Sequence, residues 1–157
     1  MVAIALGSNL GDRQQYLAFA HARLADVLAG IRLSPIIETA PVGVPDTQGA
    51  FLNQAATGST TLGPAALLDV LQAIELEAGR ARPFPNAART LDLDLVLYGD
   101  VVVTGPSLTL PHPRFRDRRF VLEPLAMVAP DLRDPVSGLT VAELLARLPP
   151  APPAAPL

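Results

Sequence analysis

The spacing of apolar and polar positions changes several times along the chain, and each change marks an element. Residues 2–6 are an apolar run closed by Gly7, the pattern of a buried strand. Gly7-Ser8-Asn9-Leu10-Gly11 reads as a turn, and Asp12 as a helix N-cap with Gln15 three residues on. That helix is expected to reach about Leu28, with Leu17, Ala20, Leu24, Val27 and Leu28 on one face and Gly30 as its stop. Residues 31–39 read as one strand interrupted near Pro35, which suits a sheet edge. Residues 40–49, rich in proline and glycine, read as a loop. Residues 51–59 form a further strand that puts Phe51 and Asn53 on one face.

Gly63-Pro64 opens a second helix with a Leu67, Leu68, Leu71, Ile74 stripe and a stop at Gly79. Gln72 and Glu75 lie near its C-terminal end. Residues 80–90 are an arginine-bearing loop, and 91–97 alternate apolar and acidic side chains as a strand does. A turn at 98–100 is expected to return the chain as a hairpin strand at 101–103. Residues 104–113 read as irregular, with His112 held between two prolines. Pro124 is expected to open a short helix through Ala129, and Thr140 with Glu143 to cap a last helix ending near Leu148. Residues 149–157, proline- and alanine-rich, read as a disordered tail after a single domain over 1–148. The order is βαββα, then a hairpin and further helices. It predicts an α+β fold, a ferredoxin-like sandwich with a mainly antiparallel sheet and helices on both faces.

Composition narrows the classes. The 157 residues are 50% hydrophobic and 17% charged with a net charge of −3, which suits a globular domain and argues against a general nucleic-acid binder. Absence of cysteine excludes disulfides and thiolate metal sites. The first residues lack the basic segment of a secretory signal and no apolar run is long enough to span a bilayer, so no membrane association and a cytoplasmic location are expected. All 12 basic residues are arginines, and Arg80, Arg82, Arg89, Arg114, Arg116, Arg118 and Arg119 fall in one stretch. An arginine bias explains the missing lysines but not the clustering, which points to an anionic ligand.

The candidate chemistry lies in Leu91-Asp92-Leu93-Asp94-Leu95. A period of two sends the leucines inward and sets Asp92 and Asp94 side by side. Adjacent carboxylates repel, and a divalent cation relieves that. Aspartate oxygens suit magnesium, which keeps waters and takes phosphate oxygens as further ligands. By spacing alone the same face also reads as a solvated strand surface. Asn53 offers a donor and an acceptor, as a heterocycle edge requires, or an amide satisfied by its strand neighbours.

A family resemblance weighs these readings. The chain resembles the 6-hydroxymethyl-7,8-dihydropterin pyrophosphokinases (HPPK) of folate biosynthesis over about residues 2–148. The motifs are Gly7-Ser8-Asn9-Leu10-Gly11, Thr39-Ala40-Pro41-Val42-Gly43, Phe51-Leu52-Asn53, the segment 75–82, Arg89-Thr90-Leu91-Asp92-Leu93-Asp94, and Pro111-His112 followed by Arg118 and Phe120. The resemblance implies magnesium-dependent transfer of pyrophosphate from ATP to the pterin's hydroxymethyl oxygen, releasing AMP. It implies two magnesium ions on Asp92 and Asp94, with Arg80 and Arg89 sharing the catalytic role. It implies ATP contacts from Gln72, Arg80, Arg82, Arg89, His112 and Arg118. Phe51 and Phe120 resemble the pair that sandwiches the pterin, and Asn53, Thr39, Ala40 and Val42 the rest of its pocket. Glu75 receives no role. Residues 40–49 and 82–88 are expected to order when ligands bind.

The chain departs from the family pattern in three places. It has no tryptophan in the arginine loop, no lysine near Pro83, and Pro113 where a tyrosine follows the histidine. Two other functions are weighed: a different magnesium-dependent Asp-x-Asp nucleotide transferase, and a non-catalytic pterin- or nucleotide-binding module. The first has no need of Phe51, Asn53 and Phe120 together, and the second no need of both carboxylates and the arginines. The expected partners are the small molecules ATP and 6-hydroxymethyl-7,8-dihydropterin, with no nucleic acid, and the expected state is a monomer.

Overall fold

The computed structural model of the chain describes residues 1–9, 11–39, 50–79 and 90–149. Its strands are β1 (Val2–Ser8), β2 (Ala29–Leu33), β3 (Ile37–Thr39), β4 (Phe51–Ser59), β5 (Asp92–Tyr98), β6 (Val103–Thr104) and β7 (Thr109–Leu110). Its helices are α1 (Arg13–Leu24), α2 (Pro64–Glu77), α3 (Arg119–Val128) and α4 (Val141–Arg147). The main sheet runs β2-β4-β1-β5, with β3 also pairing β4, and every pairing is antiparallel. This order, with α1 and α2 as crossovers, is the ferredoxin-like arrangement.

Two apolar layers sandwich the sheet. Val2, Ile4 and Leu6 of β1 meet Leu17, Ala20 and Leu24 of α1 and Leu67, Leu71 and Ile74 of α2. On the opposite face Ala3 and Ala55 meet Val121, Leu122 and Leu125 of α3 and Val141 and Leu144 of α4. The strand period of two thus divides β1 between two cores. Helices cover both faces, as the sequence pattern predicts.

Local signals set many boundaries. The Asp12 side chain accepts from Gln15 N–H and starts α1. Gly63 and Pro64 start α2, and Gly79 beyond its end sits at φ 78°, a left-handed position open to glycine. Thr140 and Glu143 form the reciprocal capping box of α4.

Five expectations need correction. Helix α1 ends at Leu24 rather than Leu28, because the chain must turn to begin β2 at Ala29, opposite Ser59. Gly30, expected as the helix stop, lies inside β2. Residues 31–39 do not form one strand. They divide around Ser34, whose Oγ accepts the Ala55 N–H at 2.9 Å, and the two pieces both pair β4. The hairpin expected between β5 and residues 101–103 is absent among the described residues, since β6 pairs β7 instead. Pro124 does not open a helix but lies buried inside α3, which starts at Arg119. The loop expected at 40–49, residues 80–89 of the loop expected at 80–90 and residues 150–157 of the expected tail lie outside the described residues.

Candidate active site

Strand β5 is the end strand of the sheet and carries the acidic pair. Asp92 faces Gly7 and Asp94 faces Ala5 across the β1 pairing. Leu91, Leu93 and Leu95 enter the core beneath α1 and α2. Asp92 and Asp94, both half-buried, therefore share the face that turns toward α3. Further along, the β1 register slips between Ala3 and Ile4, so that Val96 is an extra residue in β5. This bulge lets Val96 and Leu97 both enter the α3 core.

The strand is held from several sides. Ser8 Oγ donates to the Thr90 carbonyl at 2.5 Å, just ahead of the acidic pair. The Leu93 N–H donates to Glu75 Oε2 at 2.8 Å, and the His112 N–H donates to the Val96 carbonyl at 2.9 Å. Glu75 is 3% exposed. It is the residue that reading the sequence left without a role. A signal was available: Glu75 lies four residues after Leu71 in the buried stripe of α2, where a carboxylate needs a donor.

Phe51, Asn53 and Thr39 cluster on the neighbouring strands. Asn53 lies opposite Gly7, which puts it in one cross-strand row with Asp92. It is buried, and its Nδ2 donates to Thr39 Oγ1 at 2.6 Å, which leaves its Oδ1 turned toward Gly7. Phe51 pairs with Thr39 and is half-buried. On the helix side, Phe120 is 43% exposed in the first turn of α3, with the Arg118 guanidinium 5.5 Å from its ring centre. That distance is within reach of a cation–π contact. An aromatic side chain left this open presents a face for stacking.

His112 belongs to the same centre. Its pKa is held below the ordinary histidine value, first by burial and then by the positive charge of Arg118, with Asp92 opposing. The ring is therefore neutral near neutral pH, and its Nδ1 accepts the Arg114 N–H at 3.1 Å. A cavity of about 260 Å³ runs along the outer edge of β5 and is lined by Gln72, Asp94 and His112 together with residues 105–109. A larger cavity of about 410 Å³, between α1 and the end of α2, contains none of the candidate residues.

The structure thus gathers Asp92, Asp94 and His112 around β5, with Arg118 near His112, Gln72 at the cavity edge and Thr39, Phe51 and Asn53 on the adjoining strands, while Phe120 stands exposed at the start of α3. Ala40, Val42, Arg80, Arg82 and Arg89 lie outside the described residues. Among the described residues no three acidic or histidine side chains converge as a metal cage. Two carboxylates on one strand face instead match a hard cation that retains water and phosphate oxygens. Thr90 Oγ1, buried and without a hydrogen-bond partner among the described residues, lies two residues before Asp92.

The sequence model of the family described as 7,8-dihydro-6-hydroxymethylpterin-pyrophosphokinase (HPPK) matches residues 3–130. The 2-amino-4-hydroxy-6-hydroxymethyldihydropteridine pyrophosphokinase of Pseudomonas aeruginosa is 46% identical over 151 residues, 94% of this chain and 91% of the relative. The protein of the same description from Bacillus subtilis is 45% identical over 127 residues, 80% of this chain and 75% of the relative. In fold, the chain is similar to a Plasmodium falciparum HPPK-DHPS triple mutant with pteroate, at a TM-score of 0.71 and 13% identity. That match takes in 93% of this chain and 42% of the longer one. No helix among the described residues is long and apolar enough to cross a membrane.

Proposed function

The chain belongs to the HPPK family, the pyrophosphokinases of folate biosynthesis, and we propose that it performs the transfer on the sheet face shared by Asp92, Asp94, Phe51 and Asn53. Pyrophosphokinase activity implies ATP as the co-substrate. The hydroxymethyl oxygen of 6-hydroxymethyl-7,8-dihydropterin attacks the β-phosphorus of ATP. The bond from that phosphorus to the oxygen bridging it to the α-phosphorus breaks, AMP leaves with the electron pair, and the hydroxymethyl proton passes to solvent.

The observation that carries this reading is the common face, on which the carboxylate pair and the Asn53–Phe51 cluster lie in neighbouring cross-strand rows. Asp92 and Asp94 would hold two magnesium ions. Magnesium would neutralise the triphosphate and orient its β-phosphorus. Asn53 offers its Oδ1 to the edge of the pterin, and Phe51 and Phe120 take the ring's two faces. Thr39 fixes the Asn53 amide through their hydrogen bond, and the family resemblance assigns Ala40 and Val42 to the pterin as well. Arg118 and neutral His112 donate to phosphate oxygens and hold them in place. Arg80, Arg82 and Arg89 add positive charge to the same polyphosphate. Gln72 contacts the nucleotide from the cavity along β5. Action as a monomer in the cytoplasm belongs to the same proposal.

The deciding experiment mixes protein, ATP, magnesium and 6-hydroxymethyl-7,8-dihydropterin and separates the nucleotides. Pterin-dependent AMP is expected. ADP in its place, or no pterin-dependent turnover, overturns the reading.

A further inference from the structure

This inference rests on the pterin site just described and deepens it. Gly7 lies within β1, opposite Asn53 of β4 on one side and Asp92 of β5 on the other. The three residues make one row across three strands. Neighbouring strands are about 4.8 Å apart, so Asn53 and Asp92 stand about 10 Å apart with Gly7 midway. A fused two-ring heterocycle with one short arm matches that span.

Among the described residues nothing requires glycine at position 7. Gly7 is not among the residues in the left-handed region, and it continues the regular pairing of β1. Among the described residues, a Cβ built there would come no nearer than 3.7 Å to Asn53 Oδ1, 3.8 Å to the Leu52 carbonyl oxygen and 4.0 Å to Phe51 Cδ1. Those are ordinary van der Waals separations. Other glycines differ: at Gly58 a Cβ would press to 3.1 Å on the Ala29 carbonyl oxygen and on Leu28, and Gly11 has a φ of 72°. Glycine inside a strand also weakens it, so a side chain at position 7 would favour the free protein. What that side chain would take is the space between the Asn53 amide, the edge of the Phe51 ring and the row leading to Asp92.

We propose that Gly7 is a specificity-determining residue, whose missing side chain forms the floor of the pterin cleft. The bare backbone lets the flat ring reach Asn53 with one edge while its hydroxymethyl arm reaches the acidic pair. A methyl group on that floor lifts the ring away from one end or the other. Displacement by about 1 Å can cost on the order of a hundredfold in rate.

The test compares wild type with Gly7→Ala. The variant should melt at the same or a higher temperature and bind magnesium with a non-transferable ATP analogue as wild type does. Its KM for the pterin should rise at least about tenfold, the scale of one methyl group in a fitted pocket, with a fall in kcat. Wild-type KM and kcat in Gly7→Ala overturn the proposal. A second measurement needs no variant. In wild-type protein already saturated with magnesium and the ATP analogue, adding pterin should shift the Gly7 amide resonance, and an unmoved resonance at saturation overturns the proposal as well. AMP formation by wild type is read separately. A wild type without it fails the pterin reading, whereas an active wild type with an indifferent Gly7→Ala fails this inference alone.

Discussion

The Glu75 carboxylate accepts the backbone N–H of Leu93, the residue that separates Asp92 from Asp94. A buried acid on α2 thereby holds the strand that carries the acidic pair from outside the sheet. Replacing it by leucine leaves the Leu93 N–H without that acceptor, at a cost of about 1–3 kcal/mol. Glu75→Leu is expected to lose that much stability in urea and to need more magnesium for half-maximal turnover. Glu75→Gln keeps an acceptor oxygen and should recover most of both. Equal magnesium requirements in wild type and Glu75→Leu would show that Glu75 only holds the fold.

Asp94→Asn tests the acidic pair directly. The side chain is half-buried on the cleft face, so the variant should fold. Turnover is expected to drop at least about a hundredfold as charge stabilisation is lost. The rise in melting temperature on adding magnesium-ATP should shrink with the weaker binding. Asp100→Asn, exposed in the turn after β5, serves as the control and should change little. Near-normal turnover by Asp94→Asn would return the pair to a solvated strand face.

Phe51→Ala should separate the two substrates. Removing one face of the stack is expected to weaken pterin binding at least about tenfold, on the scale of aromatic stacking plus lost contact area. Affinity for magnesium-ATP, followed by calorimetry, should stay near wild type. A larger effect on ATP would place Phe51 in the other half of the site.

Acid stability should depend on the Arg116–Asp134 pair, which anchors the segment leading into α3. Asp134 is fully buried and receives two hydrogen bonds from Arg116, at 2.6 and 2.9 Å, and others from Ser137 Oγ and Val136 N–H. Burial pushes its carboxyl pKa up, but the hydrogen bonds from Arg116, Ser137 and Val136 outweigh this and hold it well below the carboxylate range. The unfolded chain then binds the proton more readily than the folded one, so this stability is present above about pH 4 and is lost as pH falls below it. Denaturation midpoints should fall more steeply below about pH 4 in wild type than in Asp134→Asn. Arg116→Leu strands the buried carboxylate and should cost about 3–5 kcal/mol at neutral pH. Parallel pH profiles in wild type and Asp134→Asn would dismiss the pair as the source.

Much of this architecture was legible because it depends on near neighbours. Asp12 with Gln15, Gly63 with Pro64 and Thr140 with Glu143 each satisfy a helix end locally, and the bounds of β4 follow from its own alternation. The elements that misled were settled by distant partners. Pro124 looks like a helix start, yet α3 is set by Val121, Leu122 and Leu125 packing on the sheet. Val101, Val102 and Val103 have no alternation to fix a register, so nothing local decided their partner. In the site, the shared face of Asp92 and Asp94 could be read from their spacing. The alignment of Asn53, Gly7 and Asp92 could not, because it exists only after three strands separated in sequence come together.

The outer edge of β5 has one more consequence. An end strand normally offers its backbone groups to any passing chain, and that is how sheets join between molecules. Here Glu75 covers the Leu93 N–H and the backbone of His112 covers the Val96 carbonyl, so two rungs of that ladder are already taken. The contacts that steady the acidic pair therefore also act as gatekeepers against aggregation. A variant that frees this edge is expected to reveal itself by concentration-dependent self-association before any loss of helix content.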